Sequence, residues 1–176
     1  MGVTTSSTVA ATYEPIATKT ASGSVSTLDF TSISGSYTDL ILICDWAAGA
    51  TDYPVSLRFN SDTGSNYSNT EMRGNGSTTG SHRNSNQTEM YLAEYVTGAT
   101  SFSSNAIFQI MNYANTTTYK TVLARSNNAV GGGSSGTEAN VGLWRSTSAI
   151  TTITVKTGGT NFAAGSTFTL YGIKAA

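Results

Sequence analysis

The chain of 176 residues carries a formal net charge of -1, and 11% of its side chains are charged, whereas soluble domains average roughly 25%. Thr, Ser, Gly and Asn together make up 85 of the 176 residues, so hydroxyls and amides take the place of charge. This composition offers no basic field for nucleic acid, and the longest apolar run, Leu40–Cys44, is far shorter than the ~20 residues of a membrane helix. Neither nucleic acid nor membrane is therefore expected as a partner.

The sequence predicts an all-β fold. Thr is β-branched and favours the pleated sheet over the helix, and no window sustains helical apolar spacing over about three turns. Apolar and polar side chains instead alternate in about ten short segments. In chain order, these predicted strands are residues 13–18, 24–30, 37–46, 55–59, 90–95, 106–111, 121–125, 141–145, 153–155 and 168–173.

The spacing of these strands predicts how they are arranged. Turn-forming clusters such as Ser34-Gly35-Ser36 and Gly158-Gly159 separate them, and no crossover helices are available for a parallel sheet. We therefore predict an antiparallel two-sheet β-sandwich of jelly-roll type, formed as one domain by residues 12–176. The most apolar segment, 37–46, reads as a central strand covered on both faces.

Three segments break this rhythm. Residues 1–11 lack core-forming pairs and are predicted to be a flexible N-terminal arm. Residues 60–87 are almost free of apolar side chains and predict an extended excursion, partly a hairpin, that stands off the sandwich. Residues 127–140 contain Gly-Gly-Gly-Ser-Ser-Gly and predict a second long excursion. Loops of this length are either functional or merely tolerated at the surface.

Nucleophilic catalysis finds little support in the chain. His82 is the sole histidine and lies in the polar excursion, so a solvated surface histidine is favoured over a Ser-His-Asp site. Cys44, the sole cysteine, lies in an apolar strand and is predicted to be a small buried hydrophobe. A single cysteine also excludes an internal disulfide and a thiolate-built zinc site.

Paired carboxylates are the other catalytic alternative, because glycoside hydrolases use two acids held at a defined separation. Four acids lie near predicted strand ends: Asp45, Asp52, Glu89 and Glu94. Any sandwich brings some acids together by chance. We therefore predict a protein that is not an enzyme, without catalytic residues or a bound cofactor, and keep a hydrolase as a minor alternative.

One segment has the spacing of a calcium-binding loop. Counted from Asn60, oxygen-bearing side chains occupy positions 1, 3, 7, 9 and 12, which are Asn60, Asp62, Asn66, Ser68 and Glu71. Ser65 stands where such a loop requires glycine, and no helices flank the segment. Asn and Asp also close tight turns, so a structural turn is favoured and no metal site is predicted.

Aromatic side chains leave carbohydrate binding open. Stacking platforms could come from Trp46, Tyr53, Tyr67, Tyr91, Tyr95, Tyr113, Tyr119 and Trp144. Aromatic residues at alternating strand positions, however, more often fill sandwich cores or interfaces.

Four segments together resemble a known family: Tyr13–Ala17 (YEPIA), Leu57–Tyr67 (LRFNSDTGSNY), Val141–Ser146 (VGLWRS) and Phe162–Ile173 (FAAGSTFTLYGI). Over nearly its whole length, from Tyr13 to Ile173, the chain is similar to small structural proteins of tailed bacteriophages, including phages of cyanobacteria. The resemblance implies a virion component without an active site.

This resemblance implies two alternatives for the setting of the protein. The first is a capsid cement, or decoration, protein that binds the major capsid protein and assembles with itself, with a trimer favoured. The second is a tail or tail-fibre module that binds host surface glycan.

The motifs also predict local structure at the end of the chain. Gly165-Ser166 predicts a turn before the last strand, with Phe168 and Leu170 facing the core. Gly172 predicts a close approach of backbones at a strand crossing.

Overall fold

The computed structural model describes residues 12–50, 53–98, 100, 103–128 and 136–174. These residues form strands, turns and loops, with no helix among them. In chain order the strands are β1 (Tyr13–Thr20), β2 (Thr27–Phe30), β3 (Asp39–Trp46), β4 (Tyr53–Phe59), β5 (Tyr67–Gly74), β6 (Thr79–Gln87), β7 (Met90–Gly98), β8 (Ser104–Met111), β9 (Lys120–Asn128), β10 (Gly136–Trp144), β11 (Ile153–Thr157) and β12 (Thr167–Ile173).

The strands form two antiparallel sheets. The larger sheet has the order β1-β12-β3-β8-β9-β10-β5-β6, and the smaller has the order β2-β11-β4-β7. One hydrophobic core of buried residues contains members from both sheets, such as Leu42 and Phe108 from the larger and Leu57 and Val155 from the smaller. The predicted all-β, two-sheet sandwich is therefore confirmed, whereas its jelly-roll winding stays a prediction.

Strand β3 lies in the interior of the larger sheet, as predicted, but it is covered on one face only. Leu40, Leu42 and Cys44 are fully buried in the core. Ile43 alternates with them and points to the other side, where 41% of it is exposed. The prediction that both faces are covered was thus wrong, because nothing in the described part of the chain packs over the outer side.

Twelve strands are present where about ten were predicted. The two additional strands, β5 and β6, lie inside the predicted excursion 60–87 and form a hairpin at one end of the larger sheet. The hairpin part of that prediction is confirmed, but β5 does not stand off the sandwich. It pairs along its whole length with β10, and Tyr67 at its start is fully buried.

The other irregular segments are only partly described. Within the predicted excursion 127–140, β9 continues to Asn128 and β10 begins at Gly136, so both ends of this segment belong to the sheet. The predicted arm, residues 1–11, lies outside the described residues.

Two of the family-like motifs pack against each other. The rings of Tyr67 and Trp144 stack with centroids 6.2 Å apart, and the ring of Phe59 lies 5.5 Å from that of Trp144. The indole Nε1 of Trp144 donates a hydrogen bond of 2.7 Å to Asp62 Oδ2. These motif residues, which are 77 positions apart in the case of Tyr67 and Trp144, therefore hold β4, β5 and β10 together.

The last motif forms the predicted turn and strand. Gly165 has a φ of 89°, a left-handed conformation that suits glycine, and Ser166 donates from its backbone N–H to Ala163 O at 3.2 Å. Phe168 and Leu170 are fully buried, as predicted. This turn therefore directs β12 into the sheet with the correct face toward the core.

Gly172 on β12 faces the ring of Tyr37. A Cβ atom at this position would lie 2.3 Å from Cγ and Cδ1 of the ring. The predicted close approach is therefore to an aromatic side chain rather than to another backbone.

Gly172→Ala is expected to destabilise the fold by overpacking, by about 1–3 kcal/mol. For a chain of this length that corresponds to a melting temperature lower by roughly 2–12 °C. Thermal unfolding followed by circular dichroism measures the change. The matched control is Gly35→Ala, because the nearest atom to its Cβ is 3.8 Å away. Equal melting temperatures for the two variants would contradict the prediction.

Candidate functional site

The outer face of the larger sheet carries an apolar surface. Strand register places Ile43, Ile107, Arg125, Ala139 and Met72 side by side on successive strands from β3 to β5. In the next row, the register aligns Ile41, Gln109, Leu123, Val141 and Thr70 on the same strands. We call this surface the outer apolar face and define it by six residues: Ile41, Ile43, Met72, Ile107, Leu123 and Val141.

These side chains are accessible although they are large and apolar. Met72 is 68% exposed, Val141 53% and Leu123 47%. Single exposed hydrophobic residues are common on proteins, but a contiguous set on one sheet face is typical of an interaction site. A cleft of about 1040 Å³ runs along the first row, and a second of about 590 Å³ lies beside Val141 and Arg83.

Charged residues lie both around and within the outer apolar face. Asp39 and Asp45 lie on β3, toward one side, and Arg83 lies on β6, toward the other. Arg125 lies within the first row, between Ile107 and Ala139. A partner that docks here therefore meets acidic groups at the β3 side and a basic group in the middle of the surface.

The sole histidine is exposed, whereas the sole cysteine is buried. His82 is on the exposed strand β6, where its Nε2 lies 3.3 Å from Asn84 Oδ1. Cys44 is fully buried, and burial raises the pKa of its thiol well above the ordinary value. A buried thiol with a raised pKa is a poor nucleophile, which agrees with the expectation for Cys44.

Three of the four carboxylates considered for catalysis lie in the described part of the chain, at different places in the fold. Asp45 lies on β3 in the larger sheet, and Asp52 lies outside the described residues. Glu89 forms salt bridges with Arg58, at 3.2 Å, and with Lys156. Glu94 accepts a hydrogen bond of 2.6 Å from Asn84 Nδ2.

The calcium-like segment forms a structural turn around Asp62. One carboxylate oxygen accepts hydrogen bonds from the backbone N–H of Gly64, and the other accepts them from Asn66 Nδ2 and Trp144 Nε1. Burial raises the pKa of Asp62, but these three hydrogen bonds outweigh it, and the pKa lies below its ordinary value. Glu71, the last residue of the pattern, belongs to β5 and not to this turn.

Four of the eight aromatic residues considered for sugar stacking are buried in the core. Trp46, Tyr67, Tyr113 and Trp144 are at most 2% exposed. Burial raises the pKa of Tyr67 to about 12. Among the described candidates, Tyr119 is the clearly exposed ring, at 54%.

A second polar assembly is buried between the sheets, where β5 and β10 face β7. The pairing of β5 with β10 places Glu71 opposite Asn140 and Arg73 opposite Glu138. Asn69, Glu71, Glu138 and Asn140 are each at most 4% exposed. We call these four residues the buried carboxyl cluster.

Glu138 connects the larger sheet to β7. Its Oε2 accepts hydrogen bonds from the backbone N–H groups of Tyr95, at 3.0 Å, and Val96, at 3.2 Å. Its Oε1 accepts from the N–H of Glu94, at 3.4 Å, and from Asn140 Nδ2, at 2.9 Å. Because β7 is an edge strand, backbone N–H groups on its open side have no neighbouring strand to bind, and Glu138 supplies acceptors for them.

Glu71 is held differently. Its Oε1 accepts a hydrogen bond of 3.1 Å from Arg73. Burial, together with the neighbouring carboxylates of Glu138 and Glu94, raises the pKa of Glu71 to about 7. Glu71 therefore exchanges its proton near neutral pH.

Sequence reasoning missed this cluster. Asn69, Glu138 and Asn140 were not singled out, and Glu71 was considered only as part of a loop. The available signal was the alternation of side-chain direction along each strand. The four residues occupy alternate positions on two strands, so they share one face with Tyr67 and Trp144. That signal became readable only once the pairing of β5 with β10 was known.

The described residues contain no group of three or more His, Cys, Asp or Glu side chains placed to hold a metal ion. Across the described ranges, no helix is long and apolar enough to cross a membrane.

Comparison of the chain with protein-family models, curated proteins and solved structures found no match.

Proposed function

We propose that the protein is a non-enzymatic structural component of a bacteriophage virion, a cement protein that binds the capsid shell through the outer apolar face. The observation that carries the proposal is the exposure of Leu123, Val141 and Met72 together on one sheet face. Apolar surface of this kind is stabilised when a partner removes it from water, at about 25 cal/mol per Å².

The strand order supports a jelly roll, which is the finer form of the fold. Strands β5 and β6 form one hairpin, and β9 and β10 form another. Without these four strands, eight strands remain. Numbered 1 to 8 in chain order, they form sheets with the orders 1-8-3-6 and 2-7-4-5. A jelly roll divides its eight strands between its two sheets in this order, and viral capsid proteins are among the proteins that adopt this fold. We therefore infer a jelly roll whose larger sheet is extended by two hairpins.

The extension is what makes the docking surface broad. Strands β9, β10 and β5 contribute Leu123, Val141 and Met72, so the hairpin strands carry three of the six residues of the outer apolar face. The low overall charge of the chain favours the same role, because few ions need to be desolvated when such a surface is covered. Fold alone does not assign function, so the proposal depends on this surface.

The proposed assembly has two kinds of contact. One is with the major capsid protein, and the other is between copies of this chain in a homo-oligomer, with a trimer favoured by the resemblance to phage structural proteins. The alternative setting, a tail or fibre module that binds host glycan, receives less support because four of the eight candidate stacking rings are buried. Copy number separates the two: quantitative proteomics of the virion should find hundreds of copies for a cement protein and only a handful for a fibre.

Replacing Leu123 and Val141 together by glutamate is expected to weaken binding to capsid shells by about tenfold or more, because two charges would be buried against a partner. Co-sedimentation of the purified protein with shells that lack it measures the loss. The fold should be retained, because both positions point outward.

The matched control is Thr27→Glu, an exposed strand position on the smaller sheet. It should leave shell binding unchanged. Undiminished binding of the Leu123/Val141 double variant would refute the proposed docking surface.

A further inference from the structure

We propose that the partner of the outer apolar face presents a carboxylate, from an aspartate or glutamate of the capsid protein, and that Arg125 binds it in the middle of the face. This inference rests on the proposed function, because it specifies the chemistry of the partner at the same surface. It excludes a partner whose contact surface is purely apolar.

Arg125 is surrounded by apolar surface. Ile107 and Ala139 are its direct neighbours on β8 and β10, and Leu123 precedes it by two positions on β9 and so points to the same side. Arg125 and its row neighbours line the cleft of about 1040 Å³, which continues to Met72 on β5. A partner that covers these apolar side chains therefore also covers the guanidinium of Arg125 and removes it from water.

Within the described part of the chain, Arg125 has no partner for its charge. Other arginines are paired within the protein. Arg58 forms a salt bridge of 3.2 Å with Glu89, and Arg73 forms one of 3.1 Å with a buried glutamate. No hydrogen bond, ion pair or ring contact joins Arg125 to another described residue, and its side chain is exposed. The guanidinium is thus available to a group on another molecule.

The outer apolar face itself offers no carboxylate to Arg125. Among the described residues, the outward positions of β8, β9, β10, β5 and β6 carry neither Asp nor Glu. Asp39 and Asp45 lie on β3, two strands from β9, so at least about 10 Å of sheet separates their backbones from that of Arg125. The counter-charge must therefore come from the partner.

The cost of desolvation is the reason that a counter-charge is needed. An ion that is buried without a partner destabilises a complex far more than a buried ion pair does, because nothing replaces its lost hydration. A carboxylate is the protein group that fits a guanidinium best, since the guanidinium donates two parallel hydrogen bonds to its two oxygens. Arginine is accordingly enriched among the central residues that dominate the affinity of protein interfaces.

The surroundings of Arg125 favour a protein segment over a polyanion. Nucleic acid is held by many basic contacts along its backbone, whereas the outward positions of these five strands carry two arginines, Arg125 and Arg83. Arg83 lies on the edge strand β6 and therefore at the margin of the face. The small side chain of Ala139 leaves space beside Arg125 in the cleft. A segment that carries an acidic residue between apolar ones fits this surface.

Arg125→Met tests the inference, because methionine keeps an unbranched apolar side chain and removes the charge. If Arg125 pairs with a carboxylate, the variant leaves that carboxylate buried without a partner, and binding to capsid shells should weaken by about 30-fold or more. A partner with a purely apolar contact surface would bind the variant at least as tightly as the wild type. Co-sedimentation with shells measures the dissociation constant. The matched control is Arg83→Met at the margin, which should change that constant by less than about fivefold.

Arg125→Lys allows the acidic residue to be identified. A water-soluble carbodiimide activates carboxylates and joins them through an amide bond to an amine in direct contact. Peptide mass spectrometry of treated complexes with shells should find position 125 joined to an Asp or Glu of the major capsid protein. The wild type has no amine at this position and is the control. A link from position 125 to another copy of this chain would overturn the inference, because the acidic partner would then be the protein itself.

The outcomes distinguish this inference from the proposed function. If the Leu123/Val141 double variant loses shell binding while Arg125→Met binds as tightly as the wild type, the docking surface stands and the acidic partner is refuted. If neither variant weakens binding, the docking surface itself is refuted.

Discussion

Trp144→Ala is expected to lower the free energy of unfolding by about 3–5 kcal/mol, a large part of the 5–15 kcal/mol that a domain usually has. Trp144 is among the largest fully enclosed side chains and contacts the rings of Phe59 and Tyr67. Its removal would leave a cavity between β4, β5 and β10. It would also remove the indole donor from Asp62 Oδ2. Denaturation in guanidinium chloride, followed by circular dichroism, measures the loss.

Two further variants separate the causes of that loss. Trp144→Phe keeps an aromatic ring but loses the indole N–H, so its cost should be clearly smaller than that of the alanine variant. Tyr119→Ala removes an aromatic side chain that is 54% exposed and should change the free energy of unfolding by less than about 0.5 kcal/mol. If Trp144→Ala were as mild as Tyr119→Ala, the ring cluster would not be a source of stability.

In metal-free buffer, the free energy of unfolding is expected to fall as the pH rises from about 4.5 to 7. Glu71 has a pKa of about 7 in the folded chain against an ordinary value of 4.5. Within this window the folded chain keeps the proton and the unfolded chain releases it, so higher pH favours unfolding. One pKa unit corresponds to about 1.4 kcal/mol, which sets the full decline on the order of 3 kcal/mol.

Glu71→Gln tests the origin of this decline. Glutamine does not ionise, so the slope of stability against pH between 4.5 and 7 should flatten in this variant. Asp45→Asn removes an acid from the exposed outer side of β3 and should keep the wild-type slope. Chemical denaturation at several pH values with EGTA present measures both. An unchanged slope in Glu71→Gln would show that another group causes the decline.

Alternation along the sequence was sufficient to place most strands. The ten predicted strands correspond to β1 to β4 and β7 to β12. Strands β5 and β6 were missed because Asn69 and Glu71 occupy inward positions where the pattern requires apolar side chains, and because β6 is almost entirely exposed. A polar inward face carries no hydrophobic period, so such strands are invisible to that reasoning.

The order of strands and the fate of each face needed the tertiary structure. Alternation showed that Ile41 and Ile43 point away from Leu42, but it could not show that no part of the described chain covers them. Coverage depends on which elements lie above a sheet, and that is a property of the whole fold. Ile41 and Ile43, two of the six residues of the outer apolar face, were accordingly read as interior from the sequence.

The sequence by itself determined the all-β class, the two-sheet arrangement, the turn around Asp62 and the burial of Cys44. Each of these follows from local chemistry. The alternation of apolar and polar side chains and the many β-branched residues indicate strands, Asn, Asp and Gly indicate the turn, and the apolar neighbours of Cys44 indicate its burial. Only the tertiary structure decided that Glu71 and Asn140, 69 positions apart, become direct neighbours. That pairing is a long-range contact between β5 and β10. It brings together charged and amide side chains, and no local sequence pattern predicts that they meet.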